Sequence, residues 1–109
     1  MDDDPTVRAV AERALANAGF EVIGTGSAAS ALELLREQEI EIVVTDVVMP
    51  EMDGFTLGAQ IAVLRPDTRV VYMSGRLAAH ESTGGNVLEK PFTPPQLVHA
   101  VESVLVTPP

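Results

Sequence analysis

The chain has 109 residues, 46% of them hydrophobic, no cysteine, and a formal net charge of −9 from 16 acidic and 7 basic residues. That length suits one domain with its own core, the apolar content excludes overall disorder, and the lack of cysteine excludes disulfides and thiolate metal sites. A domain this acidic is repelled by nucleic acid and anionic lipid and attracts cations or basic protein surfaces, while no apolar run approaches the roughly 20 residues a bilayer requires.

The first helix is expected over Pro5 to Ala18, where Val7, Val10, Ala11, Ala14, Leu15 and Ala18 fall on one face. Asp4 supplies its N-cap, Pro5 its first position and Gly19 its stop. Phe20 to Thr25 reads as a short strand, and Ser27 caps a second helix whose Ala28, Ala31, Leu34 and Leu35 share a face. Ile42 to Asp46 is a β-branched run without punctuation, the pattern of a strand buried on both faces. A third helix is expected from about Thr56 to Leu64, closed by Pro66. Arg69 to Met73 is another β-branched strand, running out at Ser74-Gly75. Leu77 to His80 has room for one turn, and Ser82 to Asn86 reads as loop. Val87 to Glu89 is a short strand before Lys90-Pro91. Thr93 caps the last helix, with Pro94 and Pro95 in its first turn, Gln96 completing a capping box, and Leu97, Val101, Val104 and Leu105 as its buried stripe. Residues 1–106 form the domain and 107–109 a tail.

Strands alternating with helices through short connections imply βαβ units, hence an α/β fold with a parallel sheet covered on both faces. Each strand after the second helix ends on a functional group: Asp46, then Ser74, then Lys90. In a parallel sheet those ends share one edge, where open α/β sheets place their ligands. Asp2, Asp3 and Asp4 meet the same edge if a strand leads into them. Carboxylates with an ammonium and a hydroxyl make a phosphoryl site. The acids hold a hard divalent cation such as Mg2+, Asp46 serves as nucleophile and forms an acyl phosphate, and Lys90 and Ser74 contact phosphoryl oxygens.

Asp-Asp-Asp-Pro at 2–5, Thr-Asp-Val-Val-Met-Pro-Glu-Met-Asp-Gly at 45–54, Met-Ser-Gly at 73–75 and Glu-Lys-Pro-Phe-Thr at 89–93 stand in that order. Together they resemble the receiver domain of two-component response regulators over nearly the whole chain. The resemblance implies a flavodoxin-like fold with sheet order 2-1-3-4-5, and Asp46 as acceptor of a phosphoryl group from phosphohistidine on a sensor histidine kinase or a histidine phosphotransfer protein. It further implies Mg2+ held by Asp2, Asp3, Asp46 and the Val48 backbone carbonyl, Ser74 as the switch hydroxyl, Lys90 as the phosphate-sensing lysine, and a cis Lys90-Pro91 bond. The expected protein is cytoplasmic, has neither nucleic acid nor membrane as partner, and signals by protein contact. It assists its own phosphorylation and dephosphorylation without being an enzyme in the ordinary sense.

The chain departs from the family at three places. The family's first strand would precede Asp2, where only Met1 stands, so the expectation is that the natural protein begins upstream. The stretch between Ser74 and Lys90 is too short for a full fourth helix, and Val87 stands where receivers commonly carry an aromatic switch residue. Those departures keep a second function open, an interaction module that retains the fold without switching. An aspartyl phosphatase is disfavoured, because a general acid two residues after the nucleophile is wanted and Val48 stands there. Asp53 reads as a turn residue before Gly54, His80 and His99 as surface residues, and Met49 and Met52 as packing elements.

Overall fold

The structure, a computed structural model, describes residue 2 and residues 4–48, 52–74 and 87–105. Helix α1 spans Pro5–Asn17, with the Asp4 carboxylate accepting from the Thr6 N–H at 2.9 Å. Helix α2 spans Ala28–Glu37, capped by Ser27, whose hydroxyl accepts from the Ser30 N–H at 3.1 Å. Strand β1 (Ile42–Asp46) leads to helix α3 (Gly54–Leu64) and strand β2 (Arg69–Ser74), a βαβ unit. Strand β3 (Val87–Glu89) and helix α4 (Pro94–Leu105) complete the described elements. The box at the start of α4 forms as its sequence predicts: the Thr93 hydroxyl accepts from the Gln96 N–H at 3.3 Å and the Gln96 side chain accepts from the Thr93 N–H at 2.8 Å.

Among the described residues the sheet has three parallel strands in the order β1-β2-β3. Asp46 lies beside Met73, and Ser74 beside Glu89, so the carboxyl ends of all three strands reach one edge. The ladder continues past the strand ends, with Val47 N–H donating to the Met73 carbonyl at 3.0 Å and Lys90 N–H to the Ser74 carbonyl at 2.8 Å. Helices cover both faces, as expected. On one, Ala28, Leu35, Leu57 and Ile61 from α2 and α3 are buried over Val43 and Val70. On the other, Ala14, Leu97 and Val101 from α1 and α4 are buried over Ile42, Val44 and Leu88. Each cluster removes several large aliphatic side chains from water, worth about 1.5–3 kcal/mol apiece.

Two expectations change. Phe20 to Thr25 is not a strand, and the physical reason is the want of a ladder among the described residues. A strand is stabilised by pairing with a neighbour, and among the described residues Thr25 is met by the Asp2 N–H at 3.4 Å without a ladder around it. Phe20 instead packs into the α1–α4 cluster. Helix α3 begins at Gly54, two residues ahead of the expected start, because Asp53 is its N-cap rather than a simple turn residue and takes the Thr56 N–H at 2.7 Å. Leu77 to His80, Ser82 to Asn86, Asp3, Met49 and the 107–109 tail lie outside the described residues. Among the described residues no helix is long and apolar enough to cross a membrane.

Candidate functional site

Side chains alternate along a strand, so two residues past a buried apolar position the chain points to the same face. Asp46 stands two residues after Val44, and Lys90 two after Leu88, both of which pack on the α1–α4 side. That parity aims the carboxylate and the ammonium at each other across the edge of the sheet. Lys90 Nζ lies 3.1 Å from Asp46 Oδ2 and 3.1 Å from Asp2 Oδ2. Sequence-predicted Asp2, Asp46 and Lys90 are therefore one cluster. Ser74, buried at the end of β2, shares its edge through the bond from Lys90 N–H.

Asp2 is 1% exposed, and a buried carboxylate is tolerable only when paired and hydrogen-bonded. All its polar atoms are engaged. Oδ2 accepts from Lys90 and Oδ1 from the Asp4 N–H at 2.9 Å, while its own N–H goes to Thr25 and its carbonyl accepts from Arg8 Nη1 at 2.8 Å. On Lys90, burial disfavours the charge, but the hydrogen bonds to Asp46 and Asp2, with their negative charge, outweigh it and raise the ammonium above its ordinary value.

Asp46 Oδ1 accepts from the Val48 N–H at 3.3 Å, which folds the start of the following loop against the carboxylate. The loop is drawn shut by Gly54, whose N–H donates to the Val47 carbonyl at 2.7 Å. A Cβ on Gly54 would collide with the Asp46 backbone oxygen, so a side chain is excluded where α3 starts. Beside this, Tyr72 of β2 packs its ring on Phe55 of α3, with centroids 4.9 Å apart. Burial, and next the Asp53 charge, push the Tyr72 phenol above its ordinary value. Val87, in register with Tyr72, is half-buried.

The donor chemistry fits a hard divalent cation. Asp2 and Asp46 present two carboxylates to one positive centre, and with a single ammonium between them the pair keeps a net negative charge. Among the described residues no three His, Cys, Asp or Glu side chains converge on one point; Asp3, the remaining acid expected there, lies outside those residues. Met52 packs against the α2–α3 cluster, as expected, and exposed His99 stands 3.5 Å from the Ser103 hydroxyl, away from the cluster's residues. The Lys90-Pro91 bond is cis. Sequence reasoning missed Arg8 and the close approach at Gly54. A glycine that immediately follows a helix cap, at the end of the loop that starts on Asp46, was the available signal for the second; nothing in the α1 pattern marked the first.

Comparison with known proteins places the chain in a family. The model of the response regulator receiver domain matches residues 1–102. The chain is 33% identical over 111 aligned positions to the response regulator receiver protein CpdR of Brucella abortus, covering 96% of this chain and 92% of that protein. It is 36% identical to a part of the sensor kinase CckA of the same organism, spanning 96% of this chain but 12% of the kinase. The crystal structure of a response regulator receiver protein from Sinorhizobium medicae superposes with a TM-score of 0.85 at 33% identity, covering 95% of this chain and 89% of that one.

Proposed function

The chain belongs to the response regulator receiver domain family, and from that premise we propose that it is a phosphoacceptor in a two-component phosphorelay, with Asp46 as the residue that takes the phosphoryl group. The observation that carries this reading is the ammonium of Lys90 held 3.1 Å from both Asp46 and Asp2 at the carboxyl edge of the sheet. The donor is a phosphohistidine on a sensor histidine kinase or a histidine phosphotransfer protein. An Asp46 carboxylate oxygen forms a bond to phosphorus as the bond from phosphorus to the imidazole nitrogen breaks, and the electron pair leaves with the imidazole, which takes up a proton. Lys90 turns from the carboxylates toward a phosphoryl oxygen as negative charge arrives, and the Ser74 hydroxyl donates to another. Asp2, Asp3, Asp46 and the Val48 backbone carbonyl are the residues that would hold Mg2+, which when bound supplies charge neutralisation for the phosphoryl oxygens.

The domain works in the cytoplasm, assists its own phosphorylation and dephosphorylation without acting on another substrate, and passes the signal by protein contact. A second reading, a non-switching interaction module, draws on Val87 at the position where the family commonly has an aromatic. One experiment separates the two. The chain is incubated with a small phosphodonor and Mg2+, and its intact mass is recorded beside an Asp46→Asn variant. The phosphoacceptor reading expects one phosphoryl adduct that is absent from the variant. An unmodified chain under conditions where it is folded would leave the interaction module in place.

A further inference from the structure

We infer that Arg8 is a positioning residue for the cation site, acting on Asp2 from the side of α1; the inference rests on the phosphoacceptor reading above. Asp2 precedes α1 and lies outside β1, β2 and β3, so no strand pairing among the described elements fixes its peptide. Its carbonyl is fixed instead by Arg8 Nη1 at 2.8 Å, and its N–H by Thr25 at 3.4 Å. Glu12 stands one turn along the helix, with its Oε1 3.9 Å from Arg8 Nε, an ion pair too long for a hydrogen bond. That pairing has an electrostatic consequence. A cation beside a divalent metal site would weaken it, but Glu12 offsets the Arg8 charge while the Nη1 donor stays on the Asp2 carbonyl.

The opposite wall is built for the same contact. A Cβ on Gly26 would stand 2.6 Å from Arg8 Nη1 and 3.8 Å from the Asp2 carbonyl oxygen. Glycine there leaves the guanidinium room to lie between α1 and the Thr25–Gly26 backbone. Arginine suits the place better than lysine. Its planar guanidinium presents its donors in fixed directions, which suits Nη1 to the Asp2 carbonyl, and a lysine ammonium has no such fixed geometry. Arg8 and Gly26 thus set where the Asp2 carboxylate points without themselves meeting the metal.

The test uses Arg8→Met, which keeps the apolar stem and removes the donors, Gly26→Ala, which displaces the guanidinium from the other side, and Arg8→Lys as partial rescue. Mg2+ affinity is measured by calorimetry, thermal unfolding without metal by circular dichroism, and phosphoryl loading as a function of Mg2+ concentration by intact mass. Arg8→Met and Gly26→Ala should each weaken Mg2+ binding roughly tenfold to a hundredfold, the range typical of residues that orient metal ligands. Loading at saturating Mg2+ should approach that of the parent chain, and Arg8→Lys should fall between. Parent-like Mg2+ affinity in these variants overturns the inference, whether or not they melt earlier. If Arg8→Met does not fold, Gly26→Ala and Arg8→Lys decide it by the same readings. A parent chain that neither binds Mg2+ nor forms the adduct overturns the phosphoacceptor reading and this inference together. A parent that does both, beside unaffected variants, overturns this inference alone.

Discussion

Asp46 and Asp2 meet at one ammonium, but the two sides of that meeting point are built by different means. Asp46 ends a strand paired along its length with β2, which is paired in turn with β3. Asp2 is tied by Arg8, Thr25, Asp4 and Lys90, each through a separate contact. A ladder is cooperative, because each bond presupposes its neighbours, and it is anchored here by two apolar clusters. Single contacts are severally weaker and can be adjusted one at a time. Asp46 therefore sits on the rigid side of the site, and Asp2 on the adjustable side.

The largest expected effect comes from cutting the one group common to both sides. Lys90→Met leaves buried Asp2 facing Asp46 without a countercharge and should cost about 3 kcal/mol in urea unfolding, as broken buried pairs do. Millimolar Mg2+ should restore part of the loss; a variant as stable as the parent would mean that the two acids do not share a desolvated site.

A finer test compares two helix caps. Asp4→Ala and Thr93→Ala each remove one cap hydrogen bond and should each cost about 1 kcal/mol. Asp4→Ala keeps the Asp4 N–H that meets Asp2 Oδ1 but loosens the helix start that places it, whereas Thr93 caps α4 with its partner Gln96. Only Asp4→Ala should shift Mg2+ affinity in calorimetry. Equal shifts in both variants would erase the distinction between the two sides.

The smallest effect is read from alkaline pH. Lys90 is raised above 10.5 and Tyr72 above 10.0 in the folded chain. For both, the stabilising contribution is complete below the ordinary value and is lost as pH rises through the folded one, so unfolding free energy should fall as pH rises above about 10. Tyr72 is the only tyrosine, so its ultraviolet absorbance isolates the β2–α3 side. Asp46→Asn should flatten the part of the slope due to Lys90 and leave the tyrosine midpoint in place. A tyrosine midpoint at or below 10.0 would contradict its burial.

The elements legible in the sequence were those that carry their own punctuation. Asp4-Pro5, Ser27, and Thr93 with Gln96 marked three helix starts, β-branched runs marked Ile42–Asp46 and Arg69 to Met73, one residue short of the strand's end at Ser74, and the short strand Val87–Glu89 was marked off by Lys90-Pro91. Asp46 and Lys90 were legible because strand ends in a parallel sheet share an edge. What local pattern cannot encode is a neighbour. Phe20 to Thr25 has strand composition, yet among the described residues it carries no ladder. Arg8 looks like any exposed-face arginine until Asp2 folds back over it. Asp53 carried both a turn and a cap signal, and the helix that followed decided between them.

The contact between Gly54 and the Asp46 carbonyl makes α3 a lever. Its fulcrum is the Asp46 peptide, and the hydrogen bond from Gly54 to Val47 leaves little slack there. From Gly54 to Val63 the helix rises about 14 Å, so a tilt of about 5° at the fulcrum displaces the far end by about 1 Å. Val63 is 86% exposed, more than any other large apolar side chain among the described residues. A small rotation of the main chain at Asp46 would thereby shift an exposed apolar side chain at the far end of α3.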